Sequence, residues 1–165
     1  MDFQISEDSA PSEFISEEQR RQLVGRPPAS GGWIVGDPIG DRKFSEPFEI
    51  KLESGEELRG ARLAFESWGE LNAEKSNAVL VLHALTGDSH TIGNSADGHP
   101  TAGWWNGLIG PGLYVDTDKY FVVTPNVLGG CQGSTGPGSL NREGREYGPS
   151  FPQLTIRDQA RAFEE

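Results

Sequence analysis

The chain has 165 residues, with 14 Lys and Arg against 25 Asp and Glu and a formal net charge of −11. That length fits one domain at most, and the acidic balance excludes the clustered cations that a nucleic-acid backbone requires. The longest apolar run, Ala78-Val79-Leu80-Val81-Leu82, is far short of the roughly 20 residues of a bilayer-spanning helix. A single cysteine, Cys131, excludes an intramolecular disulfide framework and suits a reducing compartment. The opening Met1-Asp2-Phe3-Gln4 has neither the basic nor the apolar region of a secretory leader. A cytoplasmic protein is expected, with no nucleic-acid or membrane partner.

Residues 1–43 read as a flexible acidic tail. Asp2, Glu7, Asp8, Glu13, Glu17 and Glu18 face only Arg20 and Arg21, and Pro27-Pro28-Ala29-Ser30-Gly31-Gly32 follows. Such a segment buries too little apolar surface to offset its ordering entropy. A short helix over 17–23 is the one element expected there. An ordered region is expected over 44–165. It opens with Phe48-Glu49-Ile50-Lys51-Leu52, whose alternation is that of a half-buried strand. A Gly55 turn and a second strand over 58–65 complete an expected antiparallel hairpin.

Residues 77–83 are built on the continuous apolar run 78–82, the pattern of a central strand covered on both faces. Tyr120-Phe121-Val122-Val123-Thr124 repeats it. The long connection between them, rich in Gly, His, Asp and Trp, exceeds what an idle loop needs, and Trp104-Trp105-Asn106-Gly107-Leu108-Ile109 reads as a short helix inside it. A Gly-rich loop over 129–138 follows. Thr155-Ile156-Arg157-Asp158 resembles a helix capping box with Asp in place of Glu, and the helix is expected to run on to Glu165. Hairpin, strand, loop, strand, loop and helix argue for an α/β architecture with a mainly parallel sheet. In such sheets functional groups gather beyond the carboxyl ends of strands.

The loop at the first of those ends reads His83-Ala84-Leu85-Thr86-Gly87-Asp88-Ser89-His90. A glycine just past a strand lets backbone N–H groups converge where negative charge develops on an acyl oxygen; the simpler reading is a tight turn that caps itself. His83, Asp88, His90 and His99 match no zinc-ligand spacing, so a structural or pocket-lining role is favoured over a metal. Cys131 would need a base or a helix N-terminus to act as a thiolate, and the simpler reading is a small residue packed in a Gly loop. Ser134 fails the Gly-x-Ser-x-Gly elbow because position 132 is Gln, and Ser89 fails it at Thr91. Neither a phosphate-binding loop nor a dinucleotide fingerprint is present.

Taken in order, His83-Ala84-Leu85-Thr86-Gly87-Asp88-Ser89-His90, Gly98-His99-Pro100-Thr101, Gly103-Trp104-Trp105, Asn126-Val127-Leu128-Gly129-Gly130-Cys131, Gly133-Ser134-Thr135-Gly136-Pro137, Phe151-Pro152 and Thr155-Ile156-Arg157-Asp158 closely resemble the N-terminal part of the homoserine O-acetyltransferase family. The resemblance covers roughly residues 44–165. It implies an α/β-hydrolase fold, here incomplete: the opening hairpin, two central strands and the start of the following helix. It also implies a Ser-His-Asp triad that takes acetyl from acetyl-CoA onto serine and passes it to L-homoserine, in methionine biosynthesis. Acetyl-CoA enters as co-substrate, with no bound cofactor or metal. No triad member matches a position in this chain, so these residues alone are expected to be inactive.

The resemblance carries over the Leu85 backbone N–H as half of an oxyanion hole, with Thr86 and Gly87 holding that loop in contact with substrate. His83, His90 and the 129–136 loop would shape the pocket floor, and Asp88 has no matching catalytic role. A homodimer is implied for the full-length family. A succinyl donor or a serine acceptor remains open. So does a non-catalytic module that pairs through an unfinished sheet, a state expected to be poorly soluble because it exposes an apolar face and a free edge.

Overall fold

Apolar patterning sets where strands occur, and side-chain hydrogen bonds set where they stop. The computed structural model describes residues 32–165; the tail through residue 31 and the helix expected over 17–23 lie outside the described residues. In chain order come β1 (Lys43–Phe44), β2 (Phe48–Lys51), β3 (Glu57–Ala61), β4 (Ala64–Trp68), β5 (Ala78–Leu80), β6 (Ile109–Gly110), β7 (Val115–Asp116) and β8 (Phe121–Pro125). A 3-10 turn at Gly148–Ser150 and one helix, α1 (Ile156–Ala162), follow. They divide between two units, one made of residues 32–37, Ser45–Leu63 and Val127–Glu165, the other of Pro38–Phe44 and Ala64–Asn126. Within 32–43, Trp33 donates its N–H to the Cys131 carbonyl at 2.8 Å. Arg42 is buried, and its Nη1 donates to the Gly98 carbonyl at 2.7 Å. No helix among the described residues is long and apolar enough to cross a membrane.

The first unit holds the expected hairpin. β2 and β3 pair antiparallel, with Ile50 opposite Leu58 and Lys51 opposite Glu57. Alternation sends Ile50, Leu52 and Leu58 inward, and a register shift that pairs Phe48 with Ala61 brings Ala61 to the same face, in a core with Leu63, Leu128 and Ala162, against which Phe48, Tyr147, Phe151, Leu154 and Phe163 pack. Burying one such leucine contributes about 2 kcal/mol. The second strand ends four residues earlier than the apolar run suggests. The N–H groups of Arg62 and Leu63 go to side-chain acceptors, Thr135 Oγ1 at 2.9 Å and Ser45 Oγ at 3.0 Å, so the ladder is interrupted and Ala64 starts a new strand in another sheet.

The capping box of α1 forms as expected. Asp158 N–H donates to Thr155 Oγ1 at 3.2 Å and Thr155 N–H to Asp158 Oδ2 at 2.9 Å. Asp158 Oδ1 also accepts from the Glu53 N–H at 2.9 Å, which ties the helix start to the end of the hairpin. The helix stops at Ala162, with Phe163 as its C-cap, short of the expected Glu165.

The second unit is a four-stranded sheet in the order β1-β4-β8-β5. β4 is antiparallel to both β1 and β8, and β5 runs parallel to β8 with Val79 opposite Val122. One of the three pairings in this sheet is therefore parallel, against the mainly parallel sheet expected, and β6 and β7 pair in parallel as a separate two-stranded sheet. The inward set of Val122, Val81 and Ile109 packs with Trp68, Val79, Ile92, Leu108 and Val115. Coverage of 77–83 on both faces does not hold: Leu80 and Leu82 are 50% and 60% exposed. Successive side chains point to opposite faces, and no helix among the described residues belongs to this unit.

The helix expected at 104–109 is replaced by turns. Gly103 and Trp105 donate their N–H groups to the carbonyls of Gly93 and Thr91, at 2.9 and 2.8 Å, which fixes this stretch beside 91–93, and Gly107 takes φ +83°, in the left-handed region that interrupts a right-handed helix. Position 103 must be glycine for this approach, because a Cβ there would lie 2.5 Å from Ile92 Cα.

Candidate functional site

Because β5 and β8 are parallel, their carboxyl ends leave the sheet at the same edge, where functional loops gather. The 83–90 loop follows β5, and Asn126 follows β8. The two meet: the Ser89 N–H donates to Asn126 Oδ1 at 2.8 Å, and Asn126 Nδ2 donates to Ser89 Oγ at 3.0 Å. Ser89 Oγ in turn donates to Glu66 Oε1 at 2.8 Å, from the neighbouring strand β4. The other carboxylate oxygen, Oε2, lies 3.1 Å from His90 Nδ1. All four residues are buried, so each polar group has found a partner where none would be available from water.

The tip of the loop behaves differently. Leu85 is fully exposed, and among the described residues its N–H donates to no acceptor. Its neighbours are held. Val81 N–H donates to the Val123 carbonyl at 2.9 Å, Gly87 N–H to the Ala84 carbonyl at 2.8 Å, and His83 Nδ1 lies 2.7 Å from the same carbonyl. Asp88 Oδ1 accepts from the His90 N–H at 2.9 Å, and Trp104 Nε1 donates to the Asp88 carbonyl at 3.0 Å. Thr86 is exposed and Gly87 half-buried. A short arch therefore carries the N–H groups of Ala84, Leu85 and Thr86 without an acceptor among the described residues, between two pinned ends.

Beneath the arch lies a polar cluster. His90 and His99 stack with ring centroids 3.8 Å apart and planes 11° from parallel. His99 Nε2 accepts the Asp41 N–H at 3.0 Å, which requires the neutral tautomer with its proton on Nδ1. That lone pair is spent, so the 3.8 Å separation from Glu66 Oε1 is not a hydrogen bond. His99 Nδ1 is buried without a partner among the described residues. Burial, aided by the charges of His90 and Arg42, lowers His99 from 6.5 to about 4. The backbone of Gly40, in the left-handed region at φ +61°, passes so close that a Cβ would sit 2.4 Å from His99 Nε2. Burial also raises the Glu66 carboxyl, opposed by the hydrogen bonds from His90 and Ser89 and by the charge of Arg42.

Asp41, Glu66, His90 and His99 bring four possible metal-ligand atoms within 4.8 Å of one another. The geometry favours a hydrogen-bonded core over a cation cage. Nearly parallel stacked imidazoles send their in-plane lone pairs side by side rather than to one point, and Asp41 N–H already occupies His99 Nε2.

The sequence singled out His90 and His99 and placed Asn126 in a family motif, but it passed over Glu66, the partner of Ser89 and His90. A signal for Glu66 was present: it shares the inward phase of β4 with Ala64, where a carboxylate is out of place without partners. The other candidates lie in the first unit. Cys131 is exposed there and Ser134 buried.

No family model matches the chain. Among solved structures, the fold is similar to that of esterase E22, with a TM-score of 0.67 and 32% identity over 74% of this chain and 35% of that one. It is likewise similar to homoserine O-acetyltransferase from Bacillus anthracis, with a TM-score of 0.63 and 35% identity over 73% of this chain and 34% of that one. The sheet, and the loop at its carboxyl edge, are those of an α/β-hydrolase fold. The sequence narrows the class: homoserine O-acetyltransferase of Leifsonia xyli subsp. xyli is 57% identical over 98% of this chain. The chain belongs to the homoserine O-acetyltransferase family, and it spans about 40% of the length of that relative.

Proposed function

We propose that the protein transfers an acetyl group from acetyl-CoA to the hydroxyl of L-homoserine through an acyl-serine intermediate, and that the 83–90 loop supplies half of the oxyanion hole. In the first step serine attacks the thioester carbonyl, coenzyme A leaves, and the ester forms. In the second the homoserine hydroxyl attacks that ester and the serine is released. Each step places negative charge on the acyl oxygen, and the Leu85 N–H is the donor aimed at it, with Thr86 and Gly87 shaping the arch. The reading rests on the family match at Leu85 together with one observation, an exposed loop tip whose N–H groups at 84–86 meet no acceptor among the described residues, between two anchored flanks. No Gly-x-Ser-x-Gly occurs in the 165 residues, so these residues by themselves carry no nucleophile for the reaction. No metal or bound cofactor takes part. The protein works in the cytoplasm as a homodimer, on two small-molecule substrates.

The test uses protein purified from its source cell, with its intact mass recorded. Acetyl transfer to homoserine is followed as free thiol released from acetyl-CoA. Leu85→Pro removes the donor and is expected to lower kcat about 100-fold or more, whereas Leu85→Ala keeps the N–H and most of the rate. Equal rates for the two variants would remove Leu85 from the oxyanion hole. Absence of homoserine-dependent thiol release would overturn the activity. The likeness to esterase E22 favours one second reading, with water as acyl acceptor. Thiol release independent of homoserine would distinguish it.

A further inference from the structure

Glu66 touches no expected substrate position, yet it holds the far end of the arch. Its two oxygens go to consecutive residues of the loop, Ser89 Oγ at 2.8 Å and His90 Nδ1 at 3.1 Å. Through Ser89 it continues to Asn126 at the end of β8. The strand bearing it, β4, lies beside β8, which in turn lies beside β5, so the link from Glu66 to the loop spans the sheet edge.

His90 is held at both ring nitrogens: Nδ1 lies 3.1 Å from Glu66 Oε2 and Nε2 lies 3.3 Å from the Asn94 carbonyl.

We infer that Glu66 is a positioning residue: its carboxyl group fixes Ser89 and His90, and through them the height and direction of the Leu85 amide above the sheet edge. The inference rests on the oxyanion role proposed for Leu85, and it makes a structural claim that can be tested without turnover. Glu66→Gln should preserve the arrangement. The amide oxygen accepts from Ser89 Oγ, and the amide nitrogen donates to Nδ1 of a neutral His90 whose Nε2–H still reaches Asn94. Glu66→Ala removes both acceptors.

The experiment is amide hydrogen exchange on the protein at its natural length, comparing peptides covering 83–90 with peptides covering β8, together with kcat and KM. For Glu66→Ala, exchange in 83–90 is expected to rise on the order of tenfold or more while β8 holds its protection. kcat should fall about 10- to 100-fold with little change in KM. Glu66→Gln should restore both. Should Glu66→Ala fail to fold, Ser89→Ala, which cuts the same link one residue later, must loosen 83–90 more than Glu66→Gln does. Unchanged exchange in 83–90 for Glu66→Ala or Ser89→Ala overturns the inference. So does a rise shared equally by β8, which marks general destabilisation. An unsubstituted protein that transfers no acetyl group defeats the proposed reaction instead, and the exchange comparison still decides the role of Glu66.

Discussion

Asn126 and Ser89 bond to each other through both ends of the Asn amide, Oδ1 taking the Ser89 N–H at 2.8 Å and Nδ2 giving to Ser89 Oγ at 3.0 Å. Two bonds at fixed spacing hold orientation as well as distance. The parallel pairing of β5 with β8 makes them possible, since it brings the residue after one strand beside the loop after the other. Asn126→Ala would leave the buried Ser89 N–H without an acceptor and is expected to cost about 1–3 kcal/mol. Urea unfolding measures it, and a cost near zero would mean that another group satisfies Ser89.

A second prediction concerns the helix cap. Asp158 is buried and accepts from Thr155, Glu53 and Arg161. Burial alone would raise its carboxyl, but the backbone N–H groups of Thr155 and Glu53 hold it below its ordinary value. Thr155→Ala is expected to cost about 1 kcal/mol as a lost N-cap. Asp158→Ala should cost more, about 2 kcal/mol, because the Glu53 N–H loses its acceptor as well. Guanidinium titrations of the two variants rank them, and the reverse order would show that the cap and not the tie to the hairpin dominates.

The third prediction is a pH dependence from His99. Its folded form stays neutral down to about 4 against an ordinary 6.5. The stability it contributes is therefore whole above pH 6.5 and lost as pH falls from 6.5 to about 4. Glu66 acts with the opposite sign: its raised carboxyl penalises folding as pH rises through its ordinary 4.5. Asp41, Asp88, His90 and Arg42 also act on His99, so the variant, not the raw curve, carries the test. His99→Gln keeps an acceptor for the Asp41 N–H and cannot titrate. The melting temperature should drop more steeply between pH 6.5 and 4 in the unsubstituted chain than in this variant, and parallel curves would clear His99.

The fourth is solubility. Leu80 and Leu82 present apolar side chains on the outward phase of 78–82. Leu82→Lys is expected to reduce self-association of the 165-residue chain, measured by light scattering, while changing its unfolding midpoint little. A large loss of stability would mean that Leu82 packs in the folded chain.

Several features were legible from residue order alone. The hairpin, the β8 strand and the capping box each depend on neighbours a few positions apart: alternation at Phe48, Ile50 and Leu52, a short β-branched run, Thr155 three before Asp158. The ordered series of loop motifs was enough to point to the family. Tertiary structure decided what depends on distant partners. Strand β3 ends at Ala61 because Thr135 and Ser45 take the next two N–H groups. Trp104 and Trp105 are in turns because 91–93 holds the backbone beside them. Glu66 becomes the centre of the polar cluster only when β4 is laid beside β8, 23 positions from Ser89 in the chain. Local periodicity reports which face of an element is apolar. Which buried donor meets which acceptor is settled by the requirement that every polar group removed from water find a partner, and those partners are supplied by the fold.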